Sequence, residues 1–578
     1  MKKRIVALAL ITVLCVGSLT GCGRASLESK SETTDITGST ETAETADEGY
    51  YVDEAATEEG DYGYTEWEEE AAGEENDLTV TEAEQSYLNG CYDYDWGKST
   101  DNEEYSKWEE KGFSSVRKEP LSTFSADVDT ASYSNLRRLI REGYTLEELP
   151  EGAVRIEEML NYFSYDFKEP KGSEPFGVTT QISSCPWNED AQLLMIGLKT
   201  QDIDYEDTPP SNLVFLLDVS GSMYASDKLP LLQESFCLLA ENLTEKDRVS
   251  IVTYAGEDTV VLDGVSGDKT GKIQRALKKL EAGGGTHGSK GIETAYALAE
   301  EHFIKGGNNR IILATDGDLN IGLTSEEELE ELITEKKESG IFLSVLGFGR
   351  GNMKDNKMEI LADKGNGNYA YIDSVREAKK VLVEEMSATL LTICKDVKLQ
   401  VEFNPAVVSE YRLIGYENRA LNREDFADDT KDAGEIGAGH SVTVLYELIL
   451  KESFTSLSEE EIEGLKYSDN YKKELEEEKE GTAARSEEWL TLSIRYKKPA
   501  EEESSLLQYP ISLDSYLEKP TDDFRFAAAV AEFGLLASHS EFPEDASVKN
   551  VKKTLKAIDL NDEYKEEFLE LVQEAGLY

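Results

Sequence analysis

At 578 residues the chain is long enough for several domains rather than one, and 118 Asp and Glu against 59 Lys and Arg leave a formal net charge of −59. Phosphate binding needs a basic face and none is visible, which excludes a nucleic-acid partner. The six cysteines include no C-x-x-C pair and no zinc spacing; Cys237 and Cys394, each expected in an apolar helix, read as buried thiols.

Residues 1–21 begin with Lys2, Lys3 and Arg4 and continue into an apolar stretch from Ile5 to Val16, too short for a permanent membrane span and typical of a secretory signal. The stretch closes on Leu19-Thr-Gly-Cys22, which resembles the bacterial lipobox. That resemblance implies cleavage before Cys22 and a diacylglyceryl group on its thiol, hence a lipid anchor on the extracytoplasmic face of the cell membrane. Two acyl chains suffice for stable anchoring where one does not. Residues 22–119 are rich in Glu, Asp, Thr, Ser and Gly with scattered Tyr and Trp, a composition that cannot offset its ordering entropy and predicts a disordered acidic tether.

Residues 120–204 form the first ordered segment. Asp127-Val-Asp129-Thr130 imitates the D-x-D-x-T nucleophile motif of haloacid-dehalogenase-type phosphatases, but the preceding Leu121-Ser-Thr-Phe-Ser-Ala is a poor strand for delivering a nucleophile. A helix capped by Asp129 or Thr130 fits better, with Leu136, Leu139 and Ile140 at helical spacing. A helix over Val154–Phe163 and strands over Phe176–Ser183 and Gln192–Leu198 follow.

Residues 205–394 alternate between strands and helices. Leu213-Val-Phe-Leu-Leu-Asp218 is an uninterrupted apolar run, as in a strand buried on both faces, and it leads into Asp218-Val-Ser220-Gly-Ser222. Gly283-Gly-Gly-Thr286 opens a later helix, and Arg310-Ile-Ile-Leu-Ala-Thr-Asp316 is another buried strand ending in a carboxylate. In a doubly wound sheet these three loops converge at the carboxyl edge, where ligands bind. Carboxylates and hydroxyls alone are a ligand set for a small hard cation such as Mg2+. The short connection through Gly256-Glu-Asp258 between strands Arg248–Tyr254 and Thr259–Val265 allows only an antiparallel pair, giving one antiparallel edge strand. Asp316-Gly-Asp318-Leu-Asn320 also imitates a calcium loop, but Ile321 stands where that loop needs glycine.

With these residues in view, the segment resembles a von Willebrand factor type A domain with an intact metal-ion-dependent adhesion site. The resemblance implies Mg2+ or Mn2+ approached by the hydroxyls of Ser220, Ser222 and Thr286, with Asp218 and Asp316 holding its waters. One position is left for an Asp or Glu of a protein partner.

Beyond Cys394 the period changes to two. Val397, Leu399, Val401 and Phe403 alternate with polar neighbours, as do Leu490, Leu492, Ile494 and Tyr496 and, less strictly, Val442, Val444, Tyr446, Leu448 and Leu450. Two strands upstream of the type A segment are too few to stand alone. The expected fold is therefore α/β: a mostly parallel doubly wound sheet inserted into a β-sandwich that both flanks build, with the β-rich part at 395–505 and a helical region at 506–578. A charged loop is expected over Ser456–Glu487 and helices over Phe524–Leu536, Ser547–Ala557 and Glu563–Ala575.

The order of parts, with Leu346-Gly-Phe-Gly-Arg350, Gly365-Asn-Gly-Asn-Tyr-Ala-Tyr-Ile-Asp373 and Tyr411-Arg-Leu-Ile-Gly-Tyr-Glu-Asn-Arg419, is similar to bacterial lipoproteins of the type A class. The reading that follows is a non-enzymatic, membrane-anchored binding protein. A metal-dependent hydrolase using His287 or Asp318 as base, and a metal-independent structural envelope protein, are the alternatives. His287 lacks an evident orienting partner, and the five-residue set argues against a purely structural role.

Overall fold

The computed structural model describes residues 102–577 apart from 127–128, 204–207, 286–288, 318–325, 452–487 and 500. The lipobox with Cys22, most of the acidic tether, Thr286, His287, Asp318 and the charged loop from Ser456 lie outside the described residues. Among the described residues no helix is long and apolar enough to cross a membrane.

The part of the expected tether that is described, residues 102–119, is ordered. Glu104 forms a parallel bridge with Lys354, the Glu103 carboxylate accepts from Arg138 at 2.9 Å and from the Gly351 amide at 3.0 Å, and strand β1 (Ser114–Ser115) pairs with the body. An acidic stretch hides this because its carboxylates here meet cations and amides rather than water.

Strand β2 (Leu121–Ser125) corrects the weak-strand reading: it pairs antiparallel along Lys398–Glu402, where Phe124 is fully buried. It belongs to an antiparallel sheet, so it cannot serve as the nucleophile strand of a phosphatase. Helix α1 (Ala131–Arg141) starts where expected but without the expected cap. Thr130 makes no capping bond, and the Ser132 amide donates instead to Glu158 at 2.8 Å. Asp129 accepts from the Tyr369 amide at 2.8 Å and Arg419 at 3.1 Å. Helix α2 (Ile156–Asn161), strand β3 (Phe176–Ser184) and strand β4 (Ala191–Thr200) follow.

The inserted domain runs β5 (Ser211–Asp218), α3 (Leu229–Glu241), β6 (Arg248–Tyr254), β7 (Asp258–Ser266), α4 (Thr270–Leu277), α5 (Ser289–Glu301), β8 (Asn308–Thr315), α6 (Glu326–Glu338), β9 (Phe342–Phe348), α7 (Asp355–Lys364) and β10 (Tyr369–Ile372). Its six strands order as β10-β9-β8-β5-β6-β7. All neighbours are parallel except β6 and β7. Leu213, Phe215 and Leu217 of β5 enter one apolar core and Val214 and Leu216 the other, so each residue of the run is covered by helices on one face or the next. The helical stretch after β10 is broken into α8 (Val375–Lys379), a π turn (Lys380–Glu384) and α9 (Met386–Leu390). Strand β11 (Thr392–Phe403) then begins, placing the buried thiol of Cys394 on a strand and not in a helix.

The remaining strands are β12 (Val408–Ile414), β13 (Gly434–Gly437), β14 (Ser441–Leu450), β15 (Glu488–Lys497) and β16 (Ser505–Ser512). One sheet orders β1-β12-β14-β4-β3; the other orders β13-β11-β15-β16 with β2 also on β11. Strands from both sides of the insertion thus share each sheet. Leu399, Val401, Phe403, Leu490 and Leu492 face Leu194, Ile196, Val444 and Tyr446 across one core. The other face of β4 and β14, including Leu193, Met195 and Leu445, is covered by a helical layer, which explains why alternation is imperfect there. That layer contains α10 (Asp522–Ala537), α11 (Val548–Leu555) and α12 (Glu563–Ala575).

Arginines fasten the inserted domain to its frame. Arg155 binds Asp355 at 2.6 Å and also Glu158, while Arg419 reaches Asp129 and Glu359. At the seam where the chain leaves and re-enters the sandwich, Thr200 Oγ1 donates to the Gly437 carbonyl at 2.6 Å and the Ala438 amide to the Leu391 carbonyl at 2.9 Å.

Candidate metal centre

The apolar run of β5 carries Asp218 to the carboxyl edge as the last strand residue, and its side chain is fully buried. Its Oδ1 accepts from the Ser220 amide at 2.9 Å; its Oδ2 accepts from Tyr254 at 3.3 Å and Thr315 at 3.2 Å. The loop then turns over Gly221–Tyr224, bringing the Ser220 and Ser222 hydroxyls within 2.9 Å of each other. Ser220 is buried, Ser222 is exposed, and Tyr224 on the same turn is 84% exposed.

The glycine-rich loop docks directly on this one. The Gly283 amide donates to the Val219 carbonyl at 2.9 Å and the Gly221 amide to the Gly284 carbonyl at 3.3 Å. Gly284 sits at φ +81°, a conformation that costs glycine little. Thr286 follows two residues later, outside the described residues. From the other side β8 delivers Asp316, 1% exposed. Gly317 behind it has φ +98°, and a Cβ there would fall 2.6 Å from the Asn352 carbonyl oxygen, so the turn requires glycine twice over.

The two carboxylates feel each other. Burial pushes the Asp218 carboxyl up to about 6, hydrogen bonds from Ser220 hold it down, and the charge of Asp316 adds to the rise. Such a pair gains from a positive charge placed between its members. The described donors are two carboxylates and two hydroxyls, all oxygen, and they fit a hard divalent cation that keeps some of its waters. Among the described residues no three His, Cys, Asp or Glu side chains converge as a metal cluster, and the site's hydroxyls would have to supply the other contacts.

One functional group escaped the sequence reading. Lys228, the residue preceding α3, places its Nζ 2.7 Å from Asp316 Oδ2, with the two side chains 9% and 0% exposed. A cation at a helix N-terminus opposes the helix dipole, and that mismatch was the available signal that a carboxylate waits nearby. Gly349, at φ +70°, packs against the lysine stem so closely that a Cβ would meet its Cγ at 2.2 Å.

A family model for the von Willebrand factor type A domain matches residues 212–384, and one described as von Willebrand factor matches 99–195. A third, described as "Uncharacterized protein YfbK, C-terminal", matches 388–577. The chain is 41% identical over 478 residues to "Uncharacterized protein YfbK" of Escherichia coli (strain K12), covering 81% of this chain and 80% of that protein. It is 28% identical over 194 residues to human inter-alpha-trypsin inhibitor heavy chain H3, covering 32% of this chain and 22% of that one. Among solved structures, a von Willebrand factor type A protein from Catenulispora acidiphila aligns at a TM-score of 0.40 and 12% identity, covering 71% of this chain and 91% of that chain.

Proposed function

Because the chain belongs to the YfbK family and carries a von Willebrand factor type A domain, we propose that it is a non-enzymatic cell-envelope lipoprotein that captures a protein partner through a divalent cation. Mg2+ or Mn2+ sits among Ser220, Ser222, Thr286, Asp218 and Asp316 and takes an Asp or Glu carboxylate of that partner. The lipid on Cys22 holds the protein to the membrane, and the acidic chain between it and the body sets how far the site can reach.

The observation that carries this reading is the pairing of Asp218 with Asp316 at one sheet edge beside two serine hydroxyls. A buried carboxylate such as Asp218, raised by desolvation and by the charge of a neighbouring carboxylate, is costly unless a cation joins it. The cation in turn supplies the electrophilic point that a carboxylate can reach, with Ser222 on the exposed side of the turn.

The test is cross-linking in native membranes with Mg2+ or with a chelator, for wild type, Ser222→Ala and Cys22→Ser. Wild type is expected to give a discrete adduct that chelation and Ser222→Ala both abolish. Cys22→Ser is expected to leave the membrane fraction. An adduct indifferent to chelation and to Ser222→Ala contradicts the cation-dependent reading.

A further inference from the structure

We propose that Lys228 couples the two ligands of this site, so that cation and partner carboxylate bind strongly only together; the proposal rests on the cation-site reading above. The described side chains that meet there carry two carboxylates, Asp218 and Asp316, and one ammonium, Lys228, whose Nζ lies 2.7 Å from Asp316 Oδ2. The pair is nearly sealed from water, and Gly349 packs against the lysine stem, so withdrawal of the ammonium requires the loop to move. The nearest other described charges, Asp227 and Arg350, pair with each other at 3.4 Å.

The described side chains therefore offer one negative charge in excess. A divalent cation entering alone leaves a positive charge uncompensated in a poorly solvated place, where such charges are costly. A carboxylate approaching alone meets a net negative edge. Together they balance, and each must raise the affinity of the other by the same factor. The ammonium thus keeps the site from holding a cation tightly without a partner, although the two carboxylates and two serine hydroxyls described there could otherwise do so.

The experiment is calorimetric titration of the soluble mature chain with MgCl2, in sodium chloride or in saturating sodium acetate of equal ionic strength. Wild type, Lys228→Met, Lys228→Gln and Lys228→Arg are compared, with thermal melts to check folding. Wild type is expected to bind Mg2+ about tenfold more tightly in acetate. Lys228→Met and Lys228→Gln should bind Mg2+ about tenfold more tightly than wild type in chloride, with acetate changing their affinity less than about twofold. Lys228→Arg keeps the charge and should keep the acetate dependence. Neutral variants that bind Mg2+ no more tightly than wild type in chloride, or that keep the full acetate gain, overturn the proposal. If wild type binds no Mg2+ in either medium, the cation site itself is wrong and this coupling falls with it.

Discussion

Arg137 and Asp218 both hold a formal charge out of water, and their surroundings answer it in opposite ways. Arg137 donates to Asp373 at 2.7 and 2.5 Å, to Glu377 at 2.7 Å, to Glu567 at 2.8 Å and to the Tyr162 hydroxyl at 3.1 Å. These partners come from the corner after β10, from α8, from α12 and from just past α2, so one guanidinium ties the inserted domain to both flanks of the frame. Asp218 instead has three neutral donors, a second carboxylate near by, and a lysine bound to that second carboxylate. A strongly acidic chain thus uses buried charge in two modes. At the junction every donor of the cation is occupied, which favours one rigid arrangement; at the sheet edge the described carboxylates outnumber the one ammonium, the imbalance on which the proposed cation site rests.

The junction is where the largest effect is expected. Arg137→Met leaves Glu377 and Glu567, both buried, without their shared counter-charge, and removing one member of a buried ionic cluster costs about 3–5 kcal/mol. Urea unfolding followed by far-UV circular dichroism should show a correspondingly lower midpoint. An unchanged midpoint would mean that the junction charges were not stabilising the closed frame.

Asp218 is expected to give a smaller effect with a defined pH window. Its folded-state carboxyl, pushed up to about 6 from an ordinary 3.8, favours the folded state while protonated. That contribution is fully present below the ordinary carboxylate value and is lost as pH rises through 6. Without added cation, and relative to Asp218→Asn, wild type should lose about 2 kcal/mol of stability between pH 4 and pH 7. Mg2+ should restore part of that loss in wild type and none in the variant. Parallel pH profiles in chelator would show that Asp218 is not strained by its neighbours.

The same contrast explains what was legible in the sequence. The site edge was, because Asp218, Ser220 and Ser222 follow an uninterrupted apolar strand and Asp316 follows another, so local pattern and position agree. The sandwich strands were, because Leu399, Val401, Phe403, Leu490 and Leu492 keep period two beside a single core. The junction was not: Arg137 meets partners 236, 240 and 430 residues away, and nothing local marks them. Glu103 lay hidden in a run of solvated acids although its side chain is fully buried against Arg138. Leu121–Ser125 looked a poor strand because it fills a place beside β11 that only the folded sandwich offers. Cys394 was drawn into a helix because the apolar run before it continues without a glycine or proline to mark where β11 begins.

The central claim is that hydroxyls and carboxylates from three loops hold one divalent cation, and it is met most directly by titrating Mg2+ into wild type, Ser222→Ala and Thr286→Ala in acetate. Ser222 lies exposed on its turn, so its loss should leave the melting temperature near that of wild type. The account predicts one bound Mg2+ per chain, with affinity weakened about tenfold or more in each variant. Equal affinities in all three proteins, or no Mg2+ bound by wild type, would contradict it.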